Sequence, residues 1–142
     1  MRMAAEIPDV DVWRHTTLRR NDRISWQARQ ATGLWLVDSH PALRADALQV
    51  VAELVANAVR HVPGGRRRGW VTVRLGFGDG FVRVQVIDPG ARRAVPCFGS
   101  QTGTLEESGR GLGIVAALSI RYGTEVLGRG HRVVWADLAA IP

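Results

Sequence analysis

Glu53, Asn57 and His61 stand four residues apart in Glu53-Leu54-Val55-Ala56-Asn57-Ala58-Val59-Arg60-His61. On a helix that spacing stacks them along one flank, so a carboxylate and a carboxamide point together at whatever lies beside it. Taken alone, such a flank is more often merely solvated. Two further signals lie downstream. Asp88-Pro89-Gly90 follows a strand-like run. Proline holds the residue before it extended, and glycine lets the chain turn without steric cost. An aspartate fixed there can accept a hydrogen bond from an exocyclic amine such as that of adenine; an ordinary strand-ending turn reads the same way. Gly109, Gly111 and Gly113 alternate with Arg110 and Leu112 ahead of an apolar segment. Bare backbone N–H groups at a helix start form an anion site, although glycines also serve close packing.

Composition narrows the chemistry. The chain has 142 residues, 46% hydrophobic and 23% charged, as in an ordinary globular protein, and is expected to be one domain over 1–142. No apolar run reaches the ~20 residues of a membrane span, and the N-terminus lacks an apolar signal-peptide core. Cys97 is the only cysteine, so no intrachain disulfide forms. These features predict a cytoplasmic protein. The formal charge is +6, and all nineteen basic residues are arginines. An anionic partner is favoured. Without lysine, a Walker-type phosphate site and a Schiff base are excluded. Arg66-Arg67-Arg68 in a glycine-flanked loop is weak support for a nucleic-acid patch and reads better as solvated.

The elements that must position these residues are legible from periodicity. Val10–Leu18 reads as a strand. Asp22 is the expected N-cap of a helix over Ile24–Val37. Trp13, Trp26 and Trp35 read as core or an oligomer contact. The central helix lies between Pro41 and Pro63, with Leu48, Val51, Val55, Val59 and Val62 as its buried stripe. Two period-two strands run from Trp70 to Phe77 and from Phe81 to Val86. Gly78-Asp79-Gly80 turns between them, a strong hairpin signal. Residues 91–108 lack periodicity and read as a lid. Gly109–Gly113 opens a helix, Ile114 to Tyr122, that Gly123 ends. Strands Thr124–Leu127 and Arg132–Leu138 follow, joined by Gly128-Arg129-Gly130. Alternating strands with one apolar face need helices to cover it. The expected fold is therefore an α+β two-layer sandwich, a largely antiparallel sheet with helices on one face.

In this order and on these elements, the three signals resemble the ATP-binding domain of the GHKL superfamily, which includes histidine kinases and gyrase B. E-L-V-A-N-A-V-R-H resembles its N box, D-P-G its G1 box and G-R-G-L-G its G2 box. The likeness runs from about Trp13 to Leu138. E-S-G-R-G-L-G-I-V-A-A-L and V-V-W-A-D-L are similar to the serine kinases that act as anti-sigma factors and to related actinobacterial regulators. The resemblance implies a Bergerat-type fold that binds ATP with Mg²⁺. It implies that Glu53 is the general base, Asn57 the Mg²⁺ ligand and Asp88 the adenine reader, with Gly90 allowing close approach. It also implies that Gly109, Arg110, Gly111, Leu112 and Gly113 form the phosphate cradle. His61 would cap its helix or touch phosphate. The implied partners are the nucleotide, a sigma factor and an anti-anti-sigma-type protein carrying a target serine, with homodimerisation. A non-catalytic interaction module on the same fold is the rival reading. A DNA-binding domain rests on charge alone, and no helix offers a base-reading face. The sequence departs from the family in having Pro89, in Ala91 and Arg92 after Gly90, and in Val133, near where many relatives place a threonine that supports the adenine-reading aspartate.

Overall fold

Two hairpins and an outer strand carry the sheet. The computed structural model describes residues 6–61, 69–90 and 105–140, with the side chains of 61 and 105–110 excepted. β1 (Val10–Arg19), β2 (Trp70–Gly78), β3 (Phe81–Asp88), β4 (Arg121–Val126) and β5 (Arg132–Ala139) form one sheet in the order β1-β2-β3-β5-β4. Every pairing is antiparallel. The β2–β3 turn falls at Asp79-Gly80, with Gly80 at φ +79; this left-handed backbone is what the Gly-Asp-Gly turn supplies at low cost. Between β3 and β5 the register sets Val84 opposite Ala136, Val86 opposite Val134 and Asp88 opposite Arg132. Alternation places these pairs on one face of the sheet.

Three helices cover that face: α1 (Ile24–Trp35), α2 (Pro41–His61) and α3 (Leu105–Leu118). The result is the two-layer α+β sandwich that the period-two strands predict. α2 packs against α1, α3, β3 and β5. It is held from three sides, so its buried arc is broader than one stripe. Leu43, Ala47, Val50, Val51, Leu54, Val55 and Ala58 are all buried. They meet Val71, Val73, Leu75, Val84, Val86 and Ala136 from the sheet in one core. The stripe expected through Leu48 and Val59 is thus rotated: both are only partly buried. Val62 lies outside the described residues, as do Arg66-Arg67-Arg68 and Cys97.

Local signals set the helix starts. Pro41 occupies the first position of α2, where its missing N–H costs nothing. His40 Nδ1 accepts the Ala42 N–H at 3.1 Å, satisfying one of the orphan donors of that end. At α1 the expected cap Asp22 does not act. Asn21 Oδ1 instead accepts the Arg23 N–H at 2.7 Å, and the N-cap Arg23 makes no side-chain cap. Among the tryptophans, Trp35 packs against the core, Trp13 is half-buried beneath Arg74, and Trp26 is 50% exposed with Arg23 over its ring. Trp26 is therefore a surface residue here.

The last third differs most from its expected boundaries. α3 begins at Leu105, not after Gly113, and Tyr122 and Gly123 belong to β4. The end of the expected lid, 105–108, is accordingly helical; 91–104 lies outside the described residues. On the sheet face away from the helices, Asp137 is fully buried. It accepts Arg83 Nε at 2.6 Å, Arg83 Nη2 at 2.9 Å and Arg121 Nε at 3.0 Å. Arg83 also reaches the Pro8 carbonyl at 3.2 Å and stacks over the Trp135 ring. Among the described residues, no helix is long and apolar enough to cross a membrane.

Candidate functional site

Asn57 is 2% exposed, yet neither its Nδ2 nor its Oδ1 has a hydrogen-bond partner. An orphaned buried amide costs about 1–3 kcal/mol. Such a group calls for an explanation, and a bound water, ion or ligand is one. One turn earlier, Glu53 is half-buried. Its carboxylate lies directly against Gly111 of α3: a Cβ on that residue would collide with Glu53 Oε2. A side chain at 111 would displace the carboxylate. On its other side Glu53 ends a groove of about 410 Å³ lined also by Arg29, Ala45, Leu48, Gln49 and Ala52. A carboxylate therefore sits where an open groove between α1 and α2 meets α3.

Asp88 and Gly90 stand at the end of β3 and just beyond it. Asp88 is 1% exposed at the end of β3. Its Oδ1 accepts the Gly90 N–H at 2.6 Å. Gly90 has φ +80, and a Cβ there would collide with the Gly130 carbonyl oxygen. Glycine is required twice over, by the backbone angle and by the β4–β5 turn pressed against it. The close approach that the structure shows at Gly90 is thus to the chain itself.

The residue that faces Asp88 is Arg132. Val133, opposite Ile87, lies on the other face of the sheet. Arg132 is 1% exposed and donates from Nη2 at 2.9 Å and Nε at 3.2 Å to Asp88 Oδ2. Sequence reasoning passed over this arginine. Its signal is an arginine at the mouth of the apolar run Val133-Val134-Trp135, in register with an aspartate that burial would otherwise leave uncompensated.

The glycine cluster does not stand at a helix start as expected. Gly109, Gly111 and Gly113 lie inside α3, four or more residues past its start. The unpaired N–H groups of a helix belong to its first turn, which here begins at Leu105. Each helical glycine costs about 1 kcal/mol relative to alanine. The apolar side of α3, Leu112 and Val115 in the core with Leu118 against it, offsets that cost. Leu112 is buried, and its side chain is a core contact. Gly113 is exposed with open space around its Cα. The side chains of Arg110 and His61 lie outside the described residues.

A half-buried carboxylate, a buried unpartnered carboxamide and a strand-end aspartate stand under the helix layer of an α+β sandwich. Residues 20–136 match the histidine kinase-like ATPase domain, and the chain belongs to that family. A chain in the crystal structure of the SiaB–SiaC complex from Pseudomonas aeruginosa is similar over 87% of this chain and 88% of its own. Its TM-score is 0.67 at 14% sequence identity, a likeness that establishes the shared fold. No protein of curated function matches the sequence.

The residues present fit a magnesium nucleotide. The orphaned Asn57 amide can bind a hydrated cation through its oxygen and leaves its N–H groups for an acceptor. Among the described residues no three His, Cys, Asp or Glu side chains cluster. Mg²⁺ is usually held by one or two protein ligands, phosphate oxygens and water.

Proposed function

We propose that this chain is a cytoplasmic regulator of the anti-sigma kinase type, which binds ATP with Mg²⁺ and phosphorylates a serine on an antagonist protein. The observation that carries this reading is the unpartnered, buried Asn57 one helical turn from Glu53, with Glu53 reachable from an open groove. Asn57 would be the protein ligand of Mg²⁺, whose charge neutralises phosphate oxygens when it is bound. Glu53 would accept the serine hydroxyl proton as that oxygen bonds to the γ-phosphorus and the bond to the departing ADP oxygen breaks. This chemistry needs positioning and charge neutralisation more than covalent assistance. Asp88 would accept the adenine amine at Oδ1, and Gly90 holds the turn that aims it. Gly109, Gly111 and Gly113, with Arg110, would lie against phosphate if the first turns of α3 open around the nucleotide. The partners that fit are a sigma factor and an anti-anti-sigma-type protein, with the chain acting as a homodimer.

One observation favours a second reading. Arg132 already neutralises Asp88, as a domain that only binds protein partners, with nucleotide binding weak or lost, would tolerate. Transfer of radiolabel from ATP to a serine-bearing antagonist, beside a nucleotide titration, separates the two. The kinase gives Mg-dependent binding and labelled antagonist. The interaction module gives neither.

A further inference from the structure

The groove that ends at Glu53 continues past Arg29. A second hollow of about 110 Å³ adjoins it, sharing Arg29 and Leu48 and adding Gln30, Gly33, Leu34 and Arg44. Together the two make a trough between α1 and α2, with Arg44 toward one end and Glu53 at the other. Nine residues of α2 (53 − 44) separate these two side chains, a rise of about 13 Å. The charge of the trough is divided. Arg29 and Arg44 are exposed and line its outer part. Arg44 is tethered there, its Nε donating to the Gly33 carbonyl at 3.0 Å. The Glu53 carboxylate stands at the inner end. The rim is apolar. Leu34 is 71% exposed, and the exposed Trp26 lies two turns earlier on the same side of α1. Aromatic side chains and arginines are the groups that anchor protein interfaces.

An occupant of this trough has its own charge set by the walls. Carboxylates are attracted to the Arg29–Arg44 end and repelled from Glu53. An extended chain advances about 3.3 Å per residue, so four residues span the trough. We infer that the trough docks the serine-bearing segment of the protein substrate. The segment is extended, with its hydroxyl at Glu53, carboxylates three or four residues away against Arg29 and Arg44, and an apolar side chain on Leu34. The place of the hydroxyl rests on the kinase reading of Glu53; the preference for an acidic segment rests on the trough alone.

The test reads docking without nucleotide. The ¹⁵N-labelled full-length chain is titrated with the acetylated, amidated peptide GLEEGQSQGEELG and with its lysine twin GLKKGQSQGKKLG. Both are symmetric about the serine, so chain direction is immaterial. The acidic peptide should shift the amides of Gly33, Ala45, Gln49 and Ala52 saturably, and bind about tenfold more tightly than the lysine twin. Arg29→Glu changes an exposed side chain. It should bind the acidic peptide about tenfold more weakly than wild type does, and the lysine twin more tightly. A merely structural role for Arg29 would not exchange the two preferences. The inference is overturned if the acidic peptide causes no shift at millimolar concentration, if the two peptides bind wild type equally, or if Arg29→Glu keeps the acidic preference. It is also overturned if the trough amides shift with protein concentration alone, which would give the trough to a second copy of this chain. With ATP and Mg²⁺ added, an acidic peptide that docks but gains no label on its serine overturns the kinase reading and leaves the docking surface standing.

Discussion

Gly111 on α3 lies so close to the Glu53 carboxylate on α2 that a single added methyl group would collide with Oε2. The two residues are 58 positions apart (111 − 53) in the sequence, and the absence of a side chain at 111 leaves room for the Glu53 carboxylate. Gly111→Ala should therefore displace Glu53, costing phosphoryl transfer more than nucleotide affinity. Combined with Glu53→Ala, it should add little further loss of transfer, because residues in direct contact are not additive. A double-mutant cycle on transfer rates checks this; full additivity would mean that the contact does not govern the carboxylate.

Glu53 itself should separate chemistry from binding. Glu53→Ala should leave Mg-ATP affinity within a few-fold of wild type while transfer falls by about 10²–10⁴, the usual effect of removing a general base. Single-turnover transfer beside a binding titration measures both. If affinity collapsed together with transfer, Glu53 would be a binding residue.

Asn57 sets stability against function. Its amide is buried without partners, so the ligand-free protein is stabilised when that group is replaced by an apolar one of similar size. Asn57→Leu should raise the Tm of the ligand-free protein, by roughly 1–3 kcal/mol of stability, and abolish the Mg²⁺ enhancement of nucleotide binding. Thermal denaturation without nucleotide and titration with it give the two halves. A lowered Tm would mean that the amide is satisfied in solution by something other than a ligand.

The far face of the sheet should bear on stability alone. Asp137 is fully buried between Arg83 and Arg121. Asp137→Ala should cost about 3–5 kcal/mol, since it strands the buried Arg83. That corresponds to a fall of roughly ten degrees or more in Tm. Arg121 is more than a third exposed, and Arg121→Ala should cost under about 1 kcal/mol. The Arg121 variant should bind nucleotide like wild type, because its side chain lies on the opposite face from Asp88.

Local patterns carried much of the fold into view. Strand alternation and the Gly78-Asp79-Gly80 turn place β2 and β3, and Pro41 places the start of α2. Three-dimensional facts were less accessible. The burial of Asn57 depends on α2 being packed from three sides, which one helix's periodicity does not express. The role of Arg132 depends on strand register, and a shift of one residue would have turned Val133 toward Asp88 instead. The start of α3 was obscured because glycines usually punctuate helices, whereas Gly111 serves a contact with a residue distant in sequence. Glu53 and Asn57 were visible because their spacing is local.

The most direct test is a calorimetric titration of the full-length protein with ATP, with and without Mg²⁺, repeated on Asn57→Ala. Saturable ATP binding that tightens with Mg²⁺ in the wild type, and loses that tightening in the variant, is the expected result. No heat of binding at millimolar ATP, or an Mg²⁺ effect that survives in Asn57→Ala, would contradict the assignment of α2 as the metal-nucleotide element.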